Sequence, residues 1–131
     1  MAFTCFALSF YLSKYQKDPI ATVQLNKGGC FGHSSYKLSL LHGDNSIIAR
    51  LDSGKKMMIQ IPISKSQLDS FDAFAKELSE MKDGGGCTSY YIYKLSYKNR
   101  LIKKEDWSCS WDGFHRLLIC FFGVSEKTNF L

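Results

Sequence analysis

The side chains with reactive potential are five cysteines (Cys5, Cys30, Cys87, Cys109, Cys120) and three histidines (His33, His42, His115). Cys30 and His33 stand three residues apart in the glycine-rich stretch Gly28-Gly29-Cys30-Phe31-Gly32-His33. A cysteine nucleophile needs a thiolate in an electropositive, partly exposed setting with an imidazole in reach, and only this pair has suitable spacing. No third residue beside it would orient the imidazole. The same gap matches half of a zinc site, but structural zinc takes four ligands, usually as two paired clusters. His42, Cys109 and His115 are not spaced to supply a second cluster, and no CxxC, HxH or HExxH occurs. A serine triad lacks its GxSxG cue. Gly84-Gly85-Gly86 follows a predicted helix and precedes a predicted strand, the reverse of the strand-to-helix order in which backbone amides cradle phosphate. Asp69, Asp72, Glu77 and Glu80 fall on the polar side of that helix, where they serve solubility. Asp106 and Asp112 flank Trp107-Ser108-Cys109-Ser110-Trp111, which reads as an aspartate-capped turn anchored by two indoles. The expectation is a non-enzymatic chain with no metal and no cofactor.

The remaining chemistry is recognition. Tyr91, Tyr93, Leu95 and Tyr97 share one face of a predicted strand, with Tyr90, Ile92, Lys94 and Ser96 on the other. Lys98, Arg100, Lys103 and Lys104 gather at the tip and return strand. Tyrosine offers wide contact area at small entropic cost, and Tyr with Arg is the composition of interaction surfaces. Aromatics interleaved with cations also stack on single-stranded RNA bases. Tyr91, Tyr93, Tyr97, Lys98, Arg100, Lys103 and Lys104 are therefore the candidate partner-binding set. The competing reading packs one face under the last helix and leaves the other as a solvated β surface. The leading expectation for a partner is another protein, a toxin or enzyme neutralised by an immunity- or inhibitor-type protein. RNA comes second, because no RNP-type motif is present and the net charge is only +5. A second copy of the chain could also pair through an open sheet edge.

An odd number of cysteines leaves at least one thiol unpaired in a monomer. Cys5 and Cys120 lie in apolar runs and read as buried small hydrophobes. Cys87 and Cys109 are nearly equidistant from the turn Lys98-Asn99-Arg100, so a hairpin paired that far would bring them within disulfide reach. Two readings follow: a disulfide, or two neighbouring thiols in a reducing cytosol. Met1 to Leu12 is apolar but lacks the positive start of a secretory signal. It reads as a strand of a cytoplasmic protein, with an unusual export signal as the alternative.

These groups must be positioned by a chain of 131 residues, the size of one domain (residues 1–131). A hydrophobic content of 45% with 22% charge excludes a disordered class, and no apolar run approaches the roughly 20 residues of a membrane-spanning helix. Strands are expected at Phe3–Leu12 and Ile20–Leu25, with Asn26-Lys27-Gly28-Gly29 punctuating the chain. A meander follows through Tyr36–Leu40, Ile47–Leu51 and Met57–Ile63, with Met57, Ile59, Ile61 and Ile63 inward and Pro62 marking either the near end of its strand or a sheet edge. A helix over Lys65–Lys82 starts at Ser64 with Gln67, or Ser66 with Asp69, and carries the apolar stripe Leu68, Phe71, Phe74, Ala75, Leu78 and Met81. Asp83 and the glycines stop it. Thr88–Tyr97 and Leu101–Glu105 form a hairpin, and a last helix over Asp112–Phe122 buries Phe114, Leu117, Leu118 and Phe121 before Gly123. Strands do not alternate with helices, so the class is α+β: an antiparallel meander plus a second β-hairpin, packed on two helices.

Gly28-Gly29-Cys30-Phe31-Gly32-His33-Ser34-Ser35-Tyr36-Lys37-Leu38-Ser39-Leu40 resembles the opening of small bacterial domains of unknown function that carry Cys-Phe-Gly, a second Cys-Pro, and Tyr-x-Leu-x-Leu. Ser34 and Ser35 stand where that pattern has its second Cys and Pro. The resemblance implies a small β-rich bacterial domain with no catalytic function.

Overall fold

The computed structural model describes residues 18–30, 32–82 and 84–123. The expected strand Phe3–Leu12, with Cys5, lies outside the described residues, as does Asp83. Six strands form one antiparallel sheet: β1 (Ala21–Gly29), β2 (Gly32–His42), β3 (Ile47–Ser53), β4 (Lys56–Ile63), β5 (Tyr90–Tyr97) and β6 (Arg100–Asp106). Their spatial order is β4-β3-β2-β1-β5-β6. Helix α1 (Lys65–Glu80) connects the edge strand β4 to β5, and α2 (Gly113–Phe122) follows β6. The chain is therefore an α+β fold of the expected kind. No helix among the described residues is long and apolar enough to cross a membrane.

Strand alternation decides which face the helices cover. Ala21, Val23 and Leu25 of β1, Tyr36, Leu38 and Leu40 of β2, Ala49 and Leu51 of β3, and Tyr93 and Leu95 of β5 are all buried. Phe71, Phe74 and Leu78 of α1 and Phe114, Leu117, Leu118 and Phe121 of α2 meet them in one core. Both helices carry apolar residues at three- and four-residue steps, so each buries a single stripe. Ser64 begins α1 as a capping box: its hydroxyl accepts from the Gln67 amide at 3.2 Å while the Gln67 side chain accepts from the Ser64 amide at 2.8 Å. Gly123, in the left-handed region at φ 63°, closes α2.

Three local departures from the expected pattern have physical causes. The punctuation at Asn26–Gly29 does not end a strand. β1 stays paired with β2 to Gly29↔Gly32 and with β5 to Gly28↔Tyr90. Glycine weakens a strand interior, but here the Tyr90 ring lies over Gly28, where a Cβ would collide with it. Met57 is not inward either. The register slips at Leu51/Asp52, so Asp52 pairs with Met57 rather than with the next residue. This bulge swings Met58 onto the core and leaves Met57 exposed. Cys120 is exposed rather than buried, because α2 turns the stripe of Phe114, Leu117, Leu118 and Phe121 inward and Cys120 away. Pro62 sits on the edge strand β4 as its missing donor requires.

Candidate interaction surface

The structure sorts the seven candidate contact residues by sheet face. Tyr93 is a correction: only 2% exposed, it cannot be a contact. It packs edge-on against Trp111 with ring centroids 5.0 Å apart, and Phe114 lies beyond. Burial, reinforced by Asp106, pushes its hydroxyl well above the usual phenol range. Tyr97 donates its hydroxyl to Asp72 of α1 and meets Phe71 edge-on. Burial first, and the Asp72 bond second, raise its pKa. Tyr91 is half-buried on the same core-facing side, with Lys27 over its ring. Lys104 donates to the Met81 carbonyl at 3.1 Å, so its charge sits at the C-terminal end of α1, where a helix favours cations. Lys98, at the tip, pairs with Asp72 at 3.3 Å. Its turn is tight, with Lys98 and Asn99 both at positive φ (50° and 59°), the two-residue hairpin geometry that asparagine tolerates. Arg100 and Lys103 alone of the seven stand exposed without such a tie to the helices.

No described helix packs on the other side of the sheet, where Lys37 and Lys94 are exposed and Ser39 between its neighbours is only 6% exposed. The register arranges its side chains in rows across the strands. One row runs Lys103–Lys94–Gln24–Lys37–Asp52 from β6 to β3, and the next runs Leu101–Ser96–Thr22–Ser39–Arg50. A third, at the far end, places Tyr90 over Gly28 and beside His33, whose Nδ1 lies 3.3 Å from the Tyr90 hydroxyl. Trp107 follows β6 and completes that row, its ring 5.1 Å from that of Tyr90. Leu101 is 83% exposed and Trp107 40%. Lys94 and Lys103 are directly opposed, and like charges in that relation destabilise a sheet. Arg50 is held by Asp52 at 3.0 Å, and Lys103 reaches Glu105 only at 4.0 Å. This face, not the tyrosine face, is the candidate surface. Reading the hairpin alone missed it; the alternation of Tyr90, Ile92, Lys94 and Ser96 was visible, but its continuation onto β1 and β2 depends on tertiary pairing.

The described cysteines resolve into distinct environments. Cys87 and Cys109 form a disulfide across 22 residues, their Cα atoms 5.9 Å apart. Two backbone bonds run beside it, from the Cys87 amide to the Trp107 carbonyl at 2.9 Å and from the Trp107 amide to the Gly84 carbonyl at 3.0 Å. The clamp therefore closes the base of the β5–β6 hairpin and holds the Trp107 backbone. Asp106, 2% exposed, caps the following turn by accepting from the Ser108 amide at 2.9 Å. The aspartate-capped turn is thus as expected, but its two indoles part company: Trp111 packs on Phe74 and Tyr93, Trp107 on Tyr90. Cys30 is a free, exposed thiol in the β1–β2 turn, while His33 is engaged with Tyr90. A cleft of about 330 Å³ lies beside that turn, lined by Lys27, the flanking glycines, His33, Ser34, Ser89, Tyr90 and Tyr91.

The acidic face of α1 is not simply solvated. Glu77 accepts from the Trp111 indole at 2.6 Å and from Arg116 of α2, which also bonds Asp112 at 2.8 Å. Arg116 holds the Glu77 carboxyl below its ordinary range, with burial opposing. A carboxyl depressed in the folded state contributes stability that is present above its unfolded value, about 4.3, and is lost as pH falls through the folded value. Both partners are substantially exposed, Arg116 at 52% and Glu77 at 42%, so the contribution stays below about 1 kcal/mol. Between about pH 5 and pH 2.5, the thermal midpoint of the wild type should therefore fall more steeply than that of Glu77→Gln. Parallel profiles would show that this clasp contributes nothing.

In comparisons with protein-family models and with curated proteins, the chain matches none.

Proposed function

We propose that this is a non-enzymatic binding protein of the immunity or inhibitor type, small and bacterial in character, that neutralises a toxin or enzyme by protein–protein contact through the sheet face that no described helix covers. The observation that carries the reading is the Lys94–Lys103 pair. An exposed surface that keeps two directly opposed lysines beside an 83% exposed leucine is built against its own stability, and such local conflicts mark functional sites. Use of Tyr93, Tyr97 and Lys104 within the fold supports the same view, because the tyrosine side is spent on the core. A disulfide persists in an oxidising compartment, so the Cys87–Cys109 bond favours a working place outside a reducing cytoplasm, in place of the cytoplasmic setting expected from the sequence.

A second reading, single-stranded RNA binding, is favoured by one observation, the Trp107–Tyr90 ring pair at the end of the lysine rows. The experiment is capture from native lysate with wild type, with Trp107→Ala and Leu101→Ser on the open face, and with Lys65→Ala on exposed α1. A protein partner lost in the first two variants and retained in the third is the expected result. No partner, or one indifferent to both open-face changes, overturns the reading; RNA in the captured material would move it to the second.

A further inference from the structure

Resting on that reading, we propose that the partner presents an acidic protein surface to the row Lys103–Lys94–Gln24–Lys37. Register puts these side chains on one face in adjacent strands, and strands in a sheet lie about 4.8 Å apart. The three lysines therefore span about 15 Å, with an uncharged amide between Lys94 and Lys37. All three are exposed. Charge complementarity of this kind steers encounter and fixes orientation. It would also relieve the repulsion between Lys94 and Lys103 once carboxylates arrive.

The surroundings favour protein over a nucleic acid as the occupant. Asp52 ends the row on β3, and Glu105 stands beside Lys103. A polyphosphate backbone laid along the row would meet both carboxylates. A folded partner can place its own acids on the lysines and apolar groups on Leu101 and Ile92, which flank the row on either side.

Lys94→Glu separates function from folding. It sets a glutamate opposite Lys103, replacing repulsion with attraction, so the thermal midpoint should hold or rise. Titrate labelled protein with a glutamate-rich peptide of about 15 residues at low salt, following amide shifts. Expected are shifts clustered on Gln24, Lys37, Lys94 and Lys103, with affinity at least tenfold weaker in Lys94→Glu and unchanged in Lys65→Glu on α1. Equal weakening in both variants, shifts spread over the whole surface, or no binding would each overturn the proposal. So would tighter binding of an oligouridylate to the same residues, which would put RNA in the partner's place. A captured protein partner that stays bound to Lys94→Glu protein would likewise overturn it, while leaving the inhibitor-type reading standing.

Discussion

Replacing Phe71 by alanine should cost about 3–5 kcal/mol, the range for deleting a fully buried aromatic ring. Phe71 is 0% exposed and occupies the junction of all three layers of contact. Its ring lies 5.9 Å from Phe74 in its own helix, 6.4 Å from Phe121 of α2, and 5.1 Å edge-on from Tyr97 of β5. Truncation removes dispersion contacts to two helices and the sheet at once, and rigid neighbours on three sides limit collapse into the space. The Tyr97–Asp72 bond sits on the adjacent residue of α1, so loosening this helix also exposes a polar contact made at its edge. Chemical denaturation would read the loss as a shift in midpoint at constant slope. Because domains of this size are stable by only about 5–15 kcal/mol, Phe71→Leu, which keeps most of the volume, should recover much of the stability. A loss under about 1.5 kcal/mol for Phe71→Ala would contradict a close-packed junction.

Opening the disulfide should cost about 3 kcal/mol. In the chain-entropy account, closing a loop of 22 residues removes that much freedom from the unfolded chain. The loop spans the whole β5–β6 hairpin. For a chain of this length the loss corresponds to a fall of about 10 °C in thermal midpoint. Cys87→Ser with Cys109→Ser, or wild type in excess dithiol, should show it equally. The two backbone bonds between Gly84, Cys87 and Trp107 remain available without the bridge, so the reduced protein should still fold at room temperature. A midpoint unmoved by reductant, or free-thiol titration that finds Cys87 and Cys109 reactive in the native oxidised protein, would defeat this expectation.

Legibility in the sequence followed the range of the interactions involved. The start and stripe of α1 were readable because helical period and capping hydroxyl lie within a few residues of one another, Ser64 with Gln67 being the clearest instance; its end was not, since the helix stops at Glu80 with Met81 as its cap rather than at Lys82. The turn at Lys98-Asn99-Arg100 was readable for the same reason as the start of α1, whereas Pro62 marked a strand end or an edge without deciding between them, since the edge follows from strand order. The Met57 register was not, because a bulge depends on how β3 meets β4. Nor was the continuation of β1 through Gly28, whose weakness is offset by a ring more than sixty residues away. Cys120 was misread because an apolar neighbourhood in sequence does not say which side of a helix faces inward.

For the candidate site the division is sharper. Composition and alternation alone established that the hairpin has two chemically different faces, one rich in tyrosine and one carrying Lys94. They also established that Cys87 and Cys109 are symmetric about its turn. Which face is covered could be decided only when α1 and α2 packed on the sheet, since burial is a property of neighbours and both faces had aromatic residues to offer. Tertiary pairing likewise decided that Lys94 meets Lys103 and, through Gln24, leads to Lys37. Cross-strand neighbours are set by register between segments far apart in the chain, and no local pattern encodes that distance.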